Sequence, residues 1–259
     1  MQKRNSSTSW GSVGGWYDQA VGQHGHYYHQ AVVIPNVLKI LNISRQDQVA
    51  KILDVACGQG VLSRHLPVQV DYVGLDAAAP LIVAARSYSK LSHHKFLHAD
   101  ATKEFPLKKG ELFTHATLIL AIQNMEEPLK VFQHTAKHLQ PDAPFVIVLN
   151  HPCFRIPRQS SWKVDEVHKI QYRRIDRYMS AMKIPIQTNP SKGSSSSQSW
   201  SFHHPLSSYT KWLHEAGFVI DYIDEWVSDK ESEGKAAKME NRSREEIPLF
   251  LALVAKKAT

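Results

Sequence analysis

Apolar residues in the first 150 positions of this chain fall into short runs, and segments with helical apolar spacing separate these runs. The runs that predict strands are Lys51 to Val55, Tyr72 to Asp76, Lys95 to His98, Phe113 to Ile122 and Phe145 to Asn150. Because strands and helices alternate, the pattern predicts a parallel sheet that helices cover on both faces.

The alternation stops after Asn150. Prolines and a serine-rich run at residues 193–199 punctuate the next segment, so we interpret residues 151–204 as an insertion. Within it, we expect a helix over Lys163 to Met182. A segment that follows the fifth strand lies near the carboxyl edge of the sheet, where ligands bind, and we therefore predict that the insertion is a lid.

The pattern resumes near Pro205. It predicts a helix over Pro205 to Ala216 with Gly217 as its stop, a strand over Phe218 to Val227, a charged loop, and a strand over Leu249 to Ala255. Before the first strand, Trp16 to Leu41 has helical apolar spacing. The predicted organisation is a helical cover at residues 1–44, a core at 45–150 and 205–259, and the lid at 151–204.

The first predicted strand ends in a glycine turn, where Gly58 and Gly60 let the backbone approach a ligand closely. An acidic residue, Asp76, ends the second strand 22 positions after Asp54, which is the spacing of a turn, a helix and a strand. Such an acid can accept hydrogen bonds from two ribose hydroxyls. The turn and the acid together predict a site for an adenosine-containing cofactor, and a tight turn without a ligand is the alternative.

The dinucleotide fingerprint has a third glycine three positions after the second, and Ser63 occupies that place. A nicotinamide cofactor is therefore disfavoured. At Asp54, Gly58 and Gly60 the chain resembles the class I S-adenosylmethionine-dependent methyltransferases, whose first motif is acidic-x-x-x-Gly-x-Gly. The resemblance covers roughly residues 45–150. It implies an α/β fold, a doubly wound Rossmann-like seven-stranded sheet with an antiparallel last strand, plus the lid insertion after strand 5.

The resemblance also implies the cofactor, S-adenosylmethionine, and the residues that bind it. In the family, the glycine turn passes the methionine moiety, the acid of the second strand holds the ribose, and an acid after the third strand contacts the adenine amino group; Asp100 matches that last position. The cofactor-binding residues implied in this way are Asp54, Ala56, Gly58, Gly60, Asp76, Asp100, Ala101, Leu120, Tyr17 and His29. We expect no metal.

The chain departs from the family pattern around the fourth strand. The family usually has an acidic residue near the start of this strand, where Thr114 or His115 stands here. After the strand, Gln123, Asn124 and Met125 lack the Asn- or Asp-Pro-Pro-aromatic motif of enzymes that methylate nucleic-acid bases and glutamine. We therefore expect a small oxygen, carbon or amine nucleophile.

A phenol, an alcohol or an acidic carbon must lose a proton, and histidine is suited to accept one near neutral pH. We select His151, which directly follows the fifth strand, and His26 as catalytic candidates, with a structural role as the alternative. Arginine forks match carboxylates and aromatic rings stack on planar groups, so the lid region favours a planar or acidic acceptor. The substrate-binding candidates are Tyr28, Asn124, Arg155, Trp162, Arg173 and His203. The alternative is that the arginines clamp the lid to nearby acidic residues.

A chain of 259 residues with 42% hydrophobic content can bury a full core. No apolar run approaches the ~20 residues of a membrane span, and the start lacks a secretory signal, so we expect a cytoplasmic protein without a membrane partner. Cys57 and Cys153 are too few for a disulfide framework. The net charge of +7 permits nucleic-acid binding, but the cations are scattered and we do not expect that partner. A homodimer is left open.

The leading hypothesis is an S-adenosylmethionine-dependent methyltransferase that acts on an O-, C- or amine nucleophile of a small, planar or acidic molecule. The alternatives are a nucleotide-dependent oxidoreductase on the same sheet, an RNA or tRNA methyltransferase, and a cofactor-binding module without catalytic activity.

Overall fold

The structure is a computed structural model that describes residues 25–43, 50–187 and 198–259. In chain order the elements are α1 (Ile34–Leu41), β1 (Lys51–Val55), β2 (Asp71–Asp76), α2 (Ala79–Tyr88), β3 (His94–His98), β4 (His115–Ile119), α3 (Pro128–Ala136), β5 (Pro144–Asn150), β6 (Ser160–Asp165), β7 (Ile170–Ile175), β8 (Met182–Gln187), β9 (Gln198–His203), α4 (Leu206–Glu215), β10 (Phe218–Trp226), α5 (Ala237–Glu246) and β11 (Phe250–Lys257). A π-helical turn, His29–Val33, precedes α1. None of the helices in these ranges is long and apolar enough to cross a membrane.

Seven strands form one sheet in the order β10-β11-β5-β4-β1-β2-β3. Strands β1 to β5 pair in parallel, and β11 runs antiparallel to both β5 and β10. The predicted doubly wound α/β fold with an antiparallel last strand is therefore confirmed. The strand order reverses between β1 and β4, and the carboxyl ends of these strands border the crevice in which such sheets bind ligands.

Successive residues of the central strands supply two hydrophobic clusters on opposite faces of the sheet, because side chains alternate along a strand. On β1, Leu53 belongs to one cluster and Ile52 to the other. Helices α3 and α4 cover the first face, whereas α1 and α2 cover the second. Removing one such side chain from water stabilises the fold by roughly 1.5–3 kcal/mol. This packing fixes the strand ends that carry the site.

The predicted helix over Lys163 to Met182 is wrong, because this segment contains β7 and the second half of β6, which pair as an antiparallel hairpin. The carboxylate of Asp165 accepts hydrogen bonds from the backbone N–H groups of Val167 and His168, and Lys169 adopts a left-handed φ of 51°. An aspartate that bonds its own downstream backbone favours a turn over a helix. That local competition overrides the apolar spacing.

Two further segments differ from the prediction. The fourth strand is shorter than expected and ends at Ile119, because Leu120 has a left-handed φ of 52° and a 3-10 turn, Ile122–Asn124, follows. The charged loop before the last strand contains α5, where Glu240 and Arg244 pair one helical turn apart. The helix expected over Pro205 to Ala216 is confirmed as α4, and Gly217 has a φ of 82° at its end.

Candidate active site

A cavity of about 530 Å³ opens at the carboxyl ends of β1, β2 and β4, with loop residues after β3 and side chains of β8 and β9 completing its wall. It is lined by Ala56, Gly58, Asp76, Ala77, Leu81, Ala99, Asp100, Ala101, Thr102, Ile119, Leu120, Ala121, Asn124, Met125, Glu126, Glu127, Lys183, Trp200 and Phe202. We call this space the main cavity. It brings together seven residues that the sequence analysis assigned to the site, namely Ala56, Gly58, Asp76, Asp100, Ala101, Leu120 and Asn124.

The two glycines of the turn after β1 have different surroundings. Both have left-handed φ angles, 57° at Gly58 and 73° at Gly60. A Cβ on Gly58 would meet no atom within 4 Å, because this residue faces the main cavity. A Cβ on Gly60 would lie 2.7 Å from the ring of Phe96. Gly58 therefore leaves room for a ligand, whereas Gly60 leaves room for the protein core.

Ser63, which replaces the third glycine of the dinucleotide fingerprint, contributes to the same turn. Its hydroxyl donates a hydrogen bond of 2.8 Å to the carbonyl of Gly60. The side chain is buried, and the bond holds the turn from inside. The serine is thus compatible with the turn, and its side chain occupies a volume that would be empty if this residue were glycine.

Asp76 lies at the end of β2, and its carboxylate is fixed by two backbone groups. Oδ2 accepts from the N–H of Gly58 at 2.9 Å, and Oδ1 accepts from the N–H of Ala78 at 2.8 Å. Burial raises the pKa of Asp76, and these two hydrogen bonds oppose the rise. Since an ionised carboxylate offers about four acceptor positions, lone pairs remain for a ligand in the main cavity.

Asp54 lies inside β1 and is almost completely buried. Its carboxylate accepts one hydrogen bond from the Tyr72 hydroxyl at 2.6 Å and another from the Thr117 hydroxyl at 2.7 Å. Burial raises the pKa of Asp54 to about 6, although both hydrogen bonds act in the opposite direction. Asp54 does not line the main cavity. It lines a second cavity, of about 40 Å³, on the other side of the glycine turn.

His29 lines this second cavity together with Asp54, Gly58 and Gln59. Burial lowers the pKa of His29 to about 4, and the neighbouring His26 lowers it further. The Nδ1 atom of His29 is buried and has no hydrogen-bond partner among the described residues. A neutral imidazole therefore stands beside the turn. Tyr17, the other aromatic residue expected at the cofactor, lies outside the described residues.

The loop after β3 presents Asp100 to the main cavity. Its Oδ1 accepts hydrogen bonds from both the backbone N–H and the hydroxyl of Thr102, at 2.9 and 2.8 Å. The other oxygen, Oδ2, has only the distant ammonium of Lys103, at 3.9 Å. One oxygen thus orients the carboxylate, and the other can accept a hydrogen bond from a ligand.

The wall opposite the strand ends comes from residues that the sequence analysis did not select. Trp200 and Phe202 of β9 line the main cavity with Lys183 of β8. The ammonium of Lys183 lies 5.2 Å from the Trp200 ring centre and 5.3 Å from that of Phe202, and it pairs with Glu126 at 3.1 Å. The period-two spacing of Trp200 and Phe202 is the signal that predicts a common face on a strand.

Four of the substrate-binding candidates form a second group, at the ends of β5 and β11. The Arg155 guanidinium lies 5.2 Å from the ring centre of Phe250, and Tyr28 packs edge-on against the same ring. Arg173 stacks on Trp162 at 5.2 Å. None of these side chains lines the main cavity. The alternative that the arginines clamp the lid to acidic residues applies to Arg174, which pairs with Asp176.

The histidines selected as catalytic candidates do not line the main cavity either. His151 is buried, its Nε2 lies 2.6 Å from Glu225 Oε1, and its Nδ1 accepts from the N–H of Cys153. Burial lowers the pKa of His151, and Glu225 opposes this. His26 is exposed. The Nε2 of His203 lies 2.6 Å from the carbonyl oxygen of Tyr178. The catalytic roles of His151 and His26 and the substrate-binding role of His203 stay predictions.

In the described ranges, no group of three or more histidine, cysteine or acidic residues is arranged to hold a metal ion. The main cavity itself offers carboxylates, aromatic rings and backbone groups. That donor set fits a polar organic cofactor with hydroxyl and amino groups.

A protein-family model described as a methyltransferase domain matches residues 24–223. Among curated proteins, the ubiquinone biosynthesis O-methyltransferase of Aliivibrio fischeri strain MJ11 is 29% identical over 93 residues. The match covers 35% of this chain and 40% of that enzyme, so the chain spans less than half the length of this curated relative. The strain ATCC 700601 / ES114 enzyme matches over the same length at 28% identity.

Solved structures match over most of the chain. An S-adenosylmethionine-dependent methyltransferase from Mesorhizobium loti has a TM-score of 0.66 at 22% identity, covering 88% of this chain and 99% of that protein. The glycopeptide N-methyltransferase MtfA in complex with sinefungin has a TM-score of 0.57 at 13% identity, covering 88% and 93%. At these identities the likeness concerns the fold.

Proposed function

Because this chain belongs to the class I S-adenosylmethionine-dependent methyltransferases, we propose that it transfers a methyl group from S-adenosylmethionine to a small-molecule acceptor in the main cavity. The observation that carries the proposal is the convergence of Gly58, Asp76 and Asp100 on one cavity at the carboxyl ends of the sheet. Each lies at the end of a different parallel strand or in the loop after it.

The residues of the main cavity fit the cofactor. Asp76, already fixed by the N–H groups of Gly58 and Ala78, has lone pairs for the two ribose hydroxyls. Asp100 Oδ2 is placed to accept from an amino group such as that of adenine. The open space at Gly58 lets the backbone lie against the methionine part. The related MtfA structure contains sinefungin, a cofactor analogue, which supports this assignment.

When bound, S-adenosylmethionine supplies a methyl group on a positively charged sulfur; a nucleophile in line with the carbon–sulfur bond takes the methyl group, and the sulfur leaves as a neutral thioether. The protein then gains rate by holding the acceptor in line and by excluding water. Ala56 and Leu120, at the ends of β1 and β4, have left-handed φ angles of 56° and 52° without being glycine. Both line the main cavity, and strained backbone of this kind is typical of functional sites.

We infer that the β8–β9 pair is the lid over the acceptor. Trp200 and Phe202 offer two aromatic surfaces to the main cavity, which suits a planar acceptor. Asn124 and Met125, after β4, face the same space. No histidine of the described ranges lines it, so alignment and desolvation carry the rate for an acceptor whose nucleophile is a neutral amine or is acidic enough to lose its proton to water.

Isothermal titration with S-adenosylmethionine, S-adenosylhomocysteine and NAD tests the proposal. We expect the first two to bind with one site per chain and NAD to show no heat of binding. Turnover is then measured with phenols, catechols, amines and aromatic acids as acceptors, by the formation of S-adenosylhomocysteine. Binding of NAD alone would contradict the proposal and favour the oxidoreductase. Binding of S-adenosylmethionine without turnover for any acceptor, including RNA, would favour a module without activity.

A further inference from the structure

Two guanidinium groups outside the main cavity have no acidic partner in the part of the chain that the structure describes. Arg155 and Arg173 are both partly buried, and none of the ion pairs in the described ranges includes either of them. Arg155 donates to Asn150 Oδ1 at 2.9 Å. Arg173 donates to the Phe154 carbonyl at 2.7 Å and to the Ser160 hydroxyl at 2.9 Å.

An arginine in such a place is costly to the folded chain. Burying a cation without a nearby anion loses hydration that neutral hydrogen-bond acceptors only partly replace. Burial lowers the pKa of Arg155, and the positive charge of Arg173 lowers it further, although Tyr28 opposes this. Arg174, one residue away from Arg173, is paired with Asp176 and exposed. Arg155 and Arg173 are thus partly buried cations whose hydrogen-bond acceptors in the described ranges are neutral.

Arg155 lines a small cavity of about 20 Å³ that lies next to the main cavity, because Phe202 lines both. Two buried polar atoms among its lining residues have no hydrogen-bond partner in the described ranges: Gln123 Oε1 and His204 Nε2. The amide of Gln123 is oriented by its Nε2, which donates to the Leu120 carbonyl at 2.8 Å. Gln123 thus offers an acceptor, while Arg155 and His204, as its Nε2–H tautomer, offer donors.

The donors of Arg155 and His204 have the chemistry of a carboxylate site, because a carboxylate oxygen accepts from both. The cavity has room for about one water-sized oxygen, so one oxygen of a ligand's carboxylate fits there. The rest of the ligand then lies on the other side of Phe202, in the main cavity.

We propose that the methyl acceptor carries a carboxylate, and that Arg155, assisted by His204, binds this group in the small cavity behind Phe202. The inference rests on the proposed methyl transfer and names the class of acceptor, a planar molecule with an acid group. Arg155 is then a residue that determines specificity, and Arg173 keeps the local potential positive. A buried water in the small cavity is the competing occupant.

The test compares acids with their neutral amides. Binding of 4-hydroxybenzoate, 3,4-dihydroxybenzoate and indole-3-carboxylate, each beside its carboxamide, is measured by isothermal titration with and without S-adenosylhomocysteine. We expect at least one acid to bind ten times more tightly than its amide. In Arg155→Gln this preference disappears, whereas Arg174→Gln, the matched control, keeps it. An unchanged affinity for S-adenosylhomocysteine shows that Arg155→Gln is folded.

Two results would overturn this inference. One is a wild-type protein in which no acid of the panel is preferred over its amide, as expected if water alone fills the small cavity. The other is an Arg155→Gln variant that keeps the preference. If S-adenosylhomocysteine binds in either case, the proposed function stands and only the acceptor class fails. If it does not bind to the wild-type protein, the proposed function itself fails, and the acid and amide titrations without it still decide the role of Arg155.

Discussion

At the scale of single residues, the two glycines in the turn after β1 have different roles. Gly58 faces the main cavity and Gly60 faces Phe96, although the motif treats them alike. Both positions have left-handed backbone angles, so any side chain there is strained. The difference lies in what a Cβ would displace, which is ligand volume at Gly58 and core packing at Gly60.

Alanine substitutions should separate these two roles. Gly58→Ala adds only the backbone strain, roughly 1–2 kcal/mol of unfolding free energy, but it intrudes on the cofactor and should weaken its binding at least tenfold. Gly60→Ala adds a clash with Phe96 and should lose roughly 2–4 kcal/mol of stability, with a smaller loss of affinity. Urea unfolding and isothermal titration measure the two quantities. Equal effects of both variants would contradict the assignment.

Asp76 is the residue whose role is most directly testable. Asp76→Asn keeps the size of the side chain and removes its charge, so it should weaken S-adenosylmethionine binding by roughly 1.5–3 kcal/mol, the range for hydrogen bonds to a charged group. Asp71→Asn, at the exposed opposite end of the same strand, is the control and should bind normally. Titration calorimetry that finds both variants unchanged would remove Asp76 from the ribose site.

The sequence predicted the residues of the site that stand at strand ends and failed for those that stand elsewhere. Asp76, Asp100 and Gly58 are tied to the site by their distance along the chain from a strand, which a sequence displays. Trp200 and Phe202 reach the main cavity only because β8 and β9 pair and fold over it. The spacing of these residues along the chain does not predict that they reach the main cavity.

At the scale of elements, both buried residues and a surface contact connect the β8–β9 pair to the rest of the site. Ile184 of β8 and Ser201 and His203 of β9 are buried. Lys183 joins β8 to the loop after β4 through Glu126, and both side chains are largely exposed. Exposed ion pairs contribute about 0–1 kcal/mol, so this ion pair adds little to what the buried residues contribute.

The lid role predicts slower backbone hydrogen exchange in β8 and β9 when S-adenosylhomocysteine binds. Lys183→Met removes both the ion pair and the cation–π contacts, so it should reduce this protection while changing the unfolding free energy by no more than about 1 kcal/mol. Lys211→Met breaks an exposed pair with Glu215 on α4 and should leave the protection intact. If hydrogen exchange in β8 and β9 of the wild-type protein does not change when S-adenosylhomocysteine binds, these strands are not a lid.

The insertion also shows where sequence reasoning fails for elements. The helix expected over Lys163 to Met182 rested on apolar spacing, and short apolar runs fit a strand equally well. Asp165 decides between them, since its carboxylate stabilises a turn in the middle of the segment. In contrast, all seven sheet strands were identified, and the apolar runs of β1, β2, β5 and β11 are buried on both faces of the sheet.

At the scale of the whole molecule, two buried titratable groups oppose each other in the pH dependence of stability. The pKa of Asp54 is raised from 3.8 to about 6, so the folded chain binds more protons than the unfolded chain in this range. Stability from Asp54 is therefore lost as the pH rises through it. The pKa of His29 is lowered from 6.5 to about 4, so its contribution is lost as the pH falls. The change of stability with pH that arises from Asp54 therefore nearly cancels the change that arises from His29.

Replacing either residue should make the pH dependence of stability that the other one causes measurable. The stability of Asp54→Asn minus that of the wild-type protein should rise by about 2 kcal/mol from pH 4.5 to pH 7, since each pKa unit corresponds to about 1.4 kcal/mol. His29→Gln should show the opposite trend, because it removes the group that resists protonation. Urea unfolding at several pH values measures both. Parallel curves for the wild type and both variants would contradict the two pKa shifts.

The position of β11 in the sheet has a consequence for biosynthesis. This strand is the last element in chain order, yet it lies between β5 and β10. While a ribosome is still synthesising residues 250–257, the buried side chains of β5 have an unpaired strand edge beside them, and such edges invite association with other chains. The sheet is therefore continuous only once β11 has inserted between β5 and β10.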